Sequence, residues 1–254
     1  MILTLGLLLA ATAVPDAEIT AATKAITPEV VALRRDLHAH PELSNREERT
    51  GRLVAERLRA LGLEVRHPVA KTGVVGVLRG SRPGGVVALR ADIDALPIQE
   101  AGDAPYKSQV PGVMHACGHD AHTAILLGAA EVLSGLADRL PGTVVFLFQP
   151  AEEGAPEGEE GGAALMVEEG ALDDPRVEAV FGLHVGGWVE TGQMGFAPGP
   201  FFASSDTFTI TVEGHSVHGA QPHHGLDPIP VAAEIVQALQ LIVTRQIDGR
   251  QPRV

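Results

Sequence analysis

Three short segments of the chain carry side chains of the kinds that bind zinc-like metals and activate water. Cys117 and His119 lie two residues apart, and Cys117 is the only cysteine in the sequence. The adjacent glutamates Glu152 and Glu153 form the second segment, and His184 lies in the third. Thiolates, imidazoles and carboxylates are ligands of such metals, and a carboxylate beside the metal can shuttle a proton. If these side chains converge in the fold, they predict a metal-dependent hydrolase.

Hydrophobic periodicity predicts the elements that must position these side chains. One helix is predicted to begin at Thr27, with Pro28 in its first turn, and another at Ser44, where Ser44–Glu47 has the form of a capping box. Further helices are predicted over residues 122–136 and 163–169, and strands over residues 74–78, 86–89, 144–148 and 179–183. This alternation is typical of an α/β domain whose mostly parallel sheet is flanked by helices.

The candidate ligands lie where such a sheet usually places a site. Glu152 and Glu153 follow the third predicted strand, His184 follows the fourth, and Cys117 and His119 lie in a loop that enters a helix. Ligand-binding groups in open α/β sheets collect outside the carboxyl ends of the strands. Each residue alone has a plainer explanation, since a lone cysteine is usually a buried small residue and adjacent glutamates usually lie in a solvated loop. The residues alone leave open which glutamate binds metal and which faces water.

Other polar side chains compete for roles near the same edge. Asp92 and Asp94 follow a predicted strand, where they either orient a ligand histidine or cap a turn. His38 and His40 lie at a predicted helix end without a nearby carboxylate cluster, which favours capping and packing. Two histidines that flank Cys117 are further ligand candidates by composition, namely His115 and His122.

The charge of the chain argues against a nucleic-acid-binding role. The sequence has 32 acidic and 19 basic residues, a net charge of −13, and it lacks a basic run. Proteins that bind phosphate backbones normally show a basic patch. The single cysteine excludes an intrachain disulfide, so cysteine usage does not indicate a cellular compartment.

The first 15 residues resemble a secretory signal peptide. They are apolar up to Pro15, and Ala11–Ala13 has the A-x-A form of a cleavage site, but the usual Lys or Arg is missing. The apolar run is too short to span a membrane as a helix. We expect export to the periplasm or the medium. The alternative is a cytoplasmic protein, in which these residues either form a buried helix or come from a wrongly assigned start codon.

The pattern of polar and apolar residues changes after Gly199. Residues 208–212 alternate between threonine and apolar side chains, which predicts a half-exposed strand, and an amphipathic helix is predicted over about residues 227–247. We therefore expect a catalytic domain over residues 16–199 and the first part of an α+β domain over residues 200–254.

Six motifs occur in a fixed order: RRDLHAHPELSNREERT, RADIDALPIQE, MHACGHDAHTAILLGAA, FLFQPAEEG, FGLHV and GHSVHGAQPHHGLDPI. From Val30 onward they resemble the dinuclear metal amidohydrolases, a group of aminoacylase-like peptidases that includes hippurate hydrolase, N-acyl-amino-acid amidohydrolases and plant auxin-conjugate hydrolases. The resemblance implies hydrolysis of N-acyl amino acids, such as N-acetyl or N-benzoyl derivatives. It also implies a catalytic domain that carries an inserted lid domain, through which homodimers usually form.

The resemblance also assigns roles to individual residues. It implies that Cys117, His119, Glu153 and His184 bind two divalent ions, zinc, manganese or similar, with Cys117 in the place of a bridging aspartate. Glu152 would be the general base and afterwards the acid that protonates the leaving amine.

His218 matches a lid histidine that polarises the substrate carbonyl in related enzymes, often across a dimer. Nearby histidines compete with it for this role, namely His215, His223 and His224. Family members are longer than this chain and supply a further histidine ligand after the lid, so we expect the 254-residue chain to have little activity alone. The alternatives are a non-catalytic metal-binding or oligomerising remnant, and a dipeptidase or biosynthetic deacetylase of the same family.

Overall fold

The computed structural model describes residues 14–199 and 207–247. The chain divides into two compact units, residues 1–186 and residues 187–254. Most of the predicted signal peptide lies outside the described residues. None of the helices in the described ranges is both long enough and apolar enough to cross a membrane.

A five-stranded sheet forms the centre of the first unit. Its strands are β1 (Glu64–Val69), β2 (Gly73–Arg79), β3 (Arg82–Asp92), β4 (Pro141–Gln149) and β5 (Ala179–Gly182). Their order across the sheet is β1-β2-β4-β3-β5. The pairs β3–β4 and β3–β5 are parallel, whereas β1–β2 and β2–β4 are antiparallel. The α/β class is confirmed, but the sheet is mixed rather than mostly parallel, because a three-residue turn reverses the chain between β1 and β2.

Helices cover both faces of this sheet. They are α1 (Asp16–Ala39), α2 (Glu48–Ala60), α3 (His119–Ser134) and α4 (Gly162–Glu168). Alternate residues of β4 face opposite sides. Phe146 and Phe148 are fully buried in a cluster with α1, α2 and α3, and Val145 and Leu147 pack in a second cluster with Met166 of α4.

The structure moves the start of α1 upstream of its predicted position. The helix begins at Asp16, and Pro28 lies inside it. Thr27 is therefore not an N-cap, and its hydroxyl donates a hydrogen bond to the carbonyl oxygen of Thr23, one turn earlier (2.8 Å).

The predicted capping box at the start of α2 does not form. The Ser44 hydroxyl donates instead to the Asp94 carboxylate (2.8 Å), and α2 begins at residue 48. The Glu42 carboxylate caps the helix, since it accepts hydrogen bonds from the backbone amides of Arg49 (2.9 Å) and Thr50 (2.8 Å). Contacts from distant parts of the chain thus override the local pattern.

The second unit contains the predicted amphipathic helix. It spans α5 (Pro228–Leu241) and continues as a π-helical turn, Ile242–Gln246. The carboxylate of Asp227 accepts a hydrogen bond from the amide of Ile229 (3.0 Å) and so caps α5. The strand predicted at residues 208–212 is wrong for the described part of the chain, where this segment has no strand pairing. An alternating pattern alone does not make a strand, because the backbone groups need a neighbour to pair with.

Candidate metal centre

The three ligand-bearing segments meet at one edge of the sheet in the first unit. Strands β3, β4 and β5 run parallel, so their carboxyl ends lie on the same side. Asp92 ends β3, Glu152 and Glu153 follow β4, and His184 follows β5, while α3 begins at His119. The fold thus brings residues from four separate segments together at the carboxyl ends of the strands, where open α/β sheets usually bind their ligands.

His119 lies at the centre of this cluster. Its Nε2 atom is buried and has no hydrogen-bond partner among the described residues. The atom lies 3.7 Å from a carboxylate oxygen of Glu152 and 3.8 Å from one of Glu153. Three groups of ligand atoms have all their members within 4.8 Å of one another, and each includes His119: Cys117–His119–His184, His119–Glu152–Glu153 and Asp92–His119–His122.

The ring of His119 is held so that Nε2 faces the other candidate ligands. Its Nδ1 lies 2.9 Å from the carbonyl oxygen of Asp94 and 3.1 Å from the Asp94 carboxylate. Nδ1 therefore donates, and Nε2 keeps a lone pair for a metal. Burial lowers the pKa of His119, but the carboxylates of Asp94, Asp92 and Glu152 outweigh it and raise the pKa overall. The surroundings of this ring thus favour a positive charge.

His122 and Asp92 form a pair at the site, and a carboxylate oxygen of Asp92 lies 3.7 Å from Nε2 of His119. The Nδ1 of His122 donates to the Asp92 carboxylate (2.6 Å), and its Nε2 accepts from the amide of Val185 (2.9 Å). Both ring nitrogens of His122 are used, so the group that contains it is less suited to a metal than the other two. Through Val185 this histidine fixes the backbone next to His184.

The only thiol of the chain completes the cluster. The Sγ atom of Cys117 lies 3.4 Å from Nε2 of His184, whose Nδ1 donates to the carbonyl oxygen of Val185 (2.7 Å). Burial, together with the carboxylate of Glu153, raises the pKa of Cys117 to about 12. A thiol in these surroundings stays protonated near neutral pH unless a bound cation displaces its proton.

A backbone turn at Gly118 allows the segments to approach each other closely. Gly118 has φ +89°, in the left-handed region, and precedes the first residue of α3. A Cβ atom at this position would lie 2.3 Å from a methyl carbon of Val185. Glycine therefore permits both the turn after Cys117 and the contact with the segment that carries His184.

The donor set fits divalent metal ions. A thiol, a second imidazole and two carboxylates surround the buried Nε2 of His119, which has no hydrogen-bond partner among the described residues. This mixture of sulfur, nitrogen and oxygen atoms is typical of ligands of zinc-like ions. The residues that would bind them are Cys117, His119, Glu153 and His184.

The other predicted histidines have different contacts. His218 belongs to the second unit, where its exposed ring accepts a hydrogen bond from the amide of Ala220 (3.2 Å). His38 is buried, and its Nδ1 lies 2.7 Å from the Asp120 carboxylate. His40 contacts the carbonyl oxygen of Asp36 (2.8 Å), in line with its predicted capping role.

Sequence reasoning missed two residues that hold the site. The guanidinium of Arg90 donates to Asp92 (2.7 Å) and to Gln149 (2.8 and 2.9 Å). Glu47 is fully buried and accepts a hydrogen bond from the amide of Ala151, directly before the two glutamates. The capping-box pattern had assigned Glu47 to a helix end, and no local pattern reveals its actual partner.

The fold and the cluster together define an α/β protein with a metal centre at the carboxyl edge of its sheet. The chain belongs to Peptidase family M20/M25/M40, whose model matches residues 88–254. It is 48% identical over 230 residues to an N-acyl-L-amino acid amidohydrolase of Geobacillus stearothermophilus, a match that covers 90% of this chain and 60% of the relative. It is 43% identical over 226 residues to an N-acetyl-L-cysteine deacetylase of Bacillus subtilis, which covers 89% of this chain and 53% of the relative.

A solved structure is also similar. The YXEP protein of Bacillus subtilis, described as a dinuclear metal-binding peptidase of the M20 family, aligns with a TM-score of 0.69 and 38% sequence identity. The alignment covers 86% of this chain and 57% of that protein. The chain thus spans between half and two thirds of the length of these three proteins.

Proposed function

We propose that this protein is a metal-dependent amidohydrolase that cleaves the amide bond of N-acyl amino acids. The observation that carries the proposal is the buried Nε2 of His119, which has no hydrogen-bond partner in the described part of the chain and lies 3.7 or 3.8 Å from carboxylate oxygens of Asp92, Glu152 and Glu153. Burial of polar groups in such an arrangement costs free energy unless a cation binds to them. The names of two relatives, an N-acyl-L-amino acid amidohydrolase and an N-acetyl-L-cysteine deacetylase, support the substrate class.

Cys117, His119, Glu153 and His184 would hold two divalent ions. When bound, such ions polarise a carbonyl group and make water acidic. The thiolate favours zinc-like ions over magnesium, and manganese is the alternative that the resemblance suggests.

The surroundings of the two glutamates support different roles for them. Both glutamates lie within 3.8 Å of His119, but Glu153 is the one that faces the Cys117 thiol. Glu152 is the more exposed of the two and lies 3.8 Å from the guanidinium of Arg90. We therefore infer that Glu152 takes the proton of the attacking water and then delivers it to the leaving amine.

Further parts of the proposal concern the second unit and the first residues. The resemblance suggests that His218 stabilises the developing negative charge on the substrate oxygen. It also suggests that residues 200–254 begin a lid domain through which two copies dimerise. The apolar start, residues 1–15, suggests export. Analytical ultracentrifugation and sequencing of the mature N-terminus test these last two points.

Paired substitutions test the two glutamates. Glu152→Gln should keep the metal content of the parent protein but abolish hydrolysis of N-acetyl and N-benzoyl amino acids, because an amide cannot take the proton. Glu153→Gln should lower the metal content, because a carboxylate ligand is lost. Metal analysis after equilibration with Zn²⁺ or Mn²⁺ measures this difference whether or not the chain turns over. A parent protein that binds no divalent ion, or a reversed pattern, contradicts the proposal; hydrolysis of dipeptides alone contradicts the substrate class.

A further inference from the structure

The two glutamates occupy the centre of a tight turn with an unusual backbone. The amide of Gly154 contacts the carbonyl oxygen of Ala151 (3.4 Å), so Glu152 and Glu153 are the two central residues of the turn. Ala151 has φ +48°, a left-handed conformation that the Cβ of alanine disfavours. This turn requires contacts from outside to keep its shape.

Two buried carboxylates provide these contacts, one on each side of Glu152. Glu47 accepts a hydrogen bond from the amide of Ala151 (2.8 Å), and Asp94 accepts one from the amide of Glu153 (3.0 Å). Glu47 is 0% exposed and Asp94 is 1% exposed. Hydrogen bonds that are shielded from water are stronger than exposed ones, because the local dielectric constant is low.

The carboxylate of Glu47 serves this turn and not the helix that follows it. Glu47 occupies the N-cap position of α2, yet its side chain makes no capping hydrogen bond. Glu42 performs that task through the amides of Arg49 and Thr50. The second oxygen of Glu47 accepts from the Thr72 hydroxyl (2.6 Å), which fixes the direction of the carboxylate. The hydrogen bonds of the Glu47 carboxylate to other residues thus go to Ala151 and Thr72 and not to the amides of α2.

We propose that Glu47 is a positioning residue for Glu152 and Glu153 and acts through the amide of Ala151. The carboxylate holds the left-handed backbone at Ala151, and this backbone sets the direction in which both glutamates leave the turn. The functional meaning of this role rests on the proposed function, since the roles of Glu152 and Glu153 come from there.

Three variants test the proposal, with metal affinity measured by titration of the metal-free protein with Zn²⁺. Glu47→Met keeps the volume of the side chain but removes the acceptor, and it should weaken Zn²⁺ binding by about 10- to 100-fold, as loss of a group that orients a ligand usually does. Glu47→Gln can still accept from Ala151 and donate to Thr72, so it should stay within about threefold of the parent. Glu42→Met is the matched control: it should lower the melting temperature but leave the affinity unchanged, because it loosens α2 alone.

Amide hydrogen exchange in the metal-free protein provides a second readout that does not depend on the proposed function. Glu47→Met should speed exchange at Ala151 and Glu153, and Glu42→Met should not. If Glu47→Met does not fold, Glu47→Asp withdraws the carboxylate by one methylene group and should give the same pattern. Unchanged exchange at Ala151 together with Zn²⁺ affinity within twofold of the parent would overturn the proposal. If the parent binds no Zn²⁺, the proposed function fails, and the exchange rates alone then decide the role of Glu47.

Discussion

The substitution Gly118→Ala tests whether the metal centre requires the close approach between Gly118 and Val185. Gly118 lies between the ligand candidates Cys117 and His119 and has φ +89°. An added Cβ would meet a methyl carbon of Val185 at 2.3 Å, whereas the Cβ of Val185 would lie at 3.8 Å. A rotation of the Val185 side chain can therefore relieve the overlap, but the backbone conformation still has to remain left-handed.

Two contributions set the expected loss of stability. The left-handed conformation costs a residue with a Cβ about 1–2 kcal/mol, and turning Val185 away from its preferred rotamer costs about 0.5–1.5 kcal/mol. The unfolding free energy of Gly118→Ala should therefore fall by about 1.5–3.5 kcal/mol. If the loop instead relaxes to negative φ in the metal-free protein, this loss of stability is smaller, and metal binding has to restore the strained form. Zn²⁺ affinity should then fall about tenfold, since about 1.4 kcal/mol corresponds to a factor of ten.

Urea unfolding and Zn²⁺ titration of matched variants measure these two effects. Gly62→Ala is the control, because Gly62 has φ +82° and its Cβ would meet nothing within 4 Å. It should lose about 1–2 kcal/mol without a change in Zn²⁺ affinity. Adding Val185→Ala to Gly118→Ala should remove the steric part alone. If Gly118→Ala is as stable as Gly62→Ala and binds Zn²⁺ like the parent, the reasoning about this close approach is wrong.

Two further predictions concern metal removal and pH. Zn²⁺ at a free concentration of one hundred times its dissociation constant should raise the unfolding free energy by about 2.7 kcal/mol, or the melting temperature by roughly 5–11 °C. EDTA should reverse the effect, and a melting temperature that ignores both additions contradicts a folded-state metal site. Burial raises the pKa of Glu47, so its contribution to stability is present below the unfolded pKa of about 4.3 and is lost as pH rises through the folded pKa. Glu47→Gln should therefore gain stability relative to the metal-free parent between pH 4 and pH 7 in urea unfolding; a constant difference between the two proteins contradicts the shift.

The sequence alone was sufficient to locate the elements that carry the candidate ligands. Runs of apolar residues marked β4 and β5, and Glu152 and His184 follow them closely. Because parallel strands of one sheet end at the same edge, the assignment of these strands to a parallel sheet places the two side chains at that edge. The helix α3 was also predictable, since its buried side chains recur at helical spacing.

Contacts between distant residues account for what the sequence did not reveal. The capping-box pattern at Ser44 was misleading because the Ser44 hydroxyl contacts Asp94, fifty residues later in the chain. Strand β1 escaped prediction because four of its six residues are polar or proline, namely Glu64, Arg66, His67 and Pro68. The antiparallel pairing of β2 with β4 depends on topology, which periodicity does not encode. The role of Glu47 depends on a partner more than one hundred residues away.

The carboxylate of Asp94 limits which substitutions the positions around it can tolerate. It is shared by three parts of the chain, since it contacts Ser44 before α2, His119 in α3 and the amide of Glu153 after β4. Substitutions at these positions should therefore show epistasis, with free-energy effects that do not add. A residue that is tolerated at position 44 in one background can be harmful in another, because each change alters the partner that the other positions share. Engineering of this centre, for instance to exchange one metal for another, will need these positions to be varied as a set.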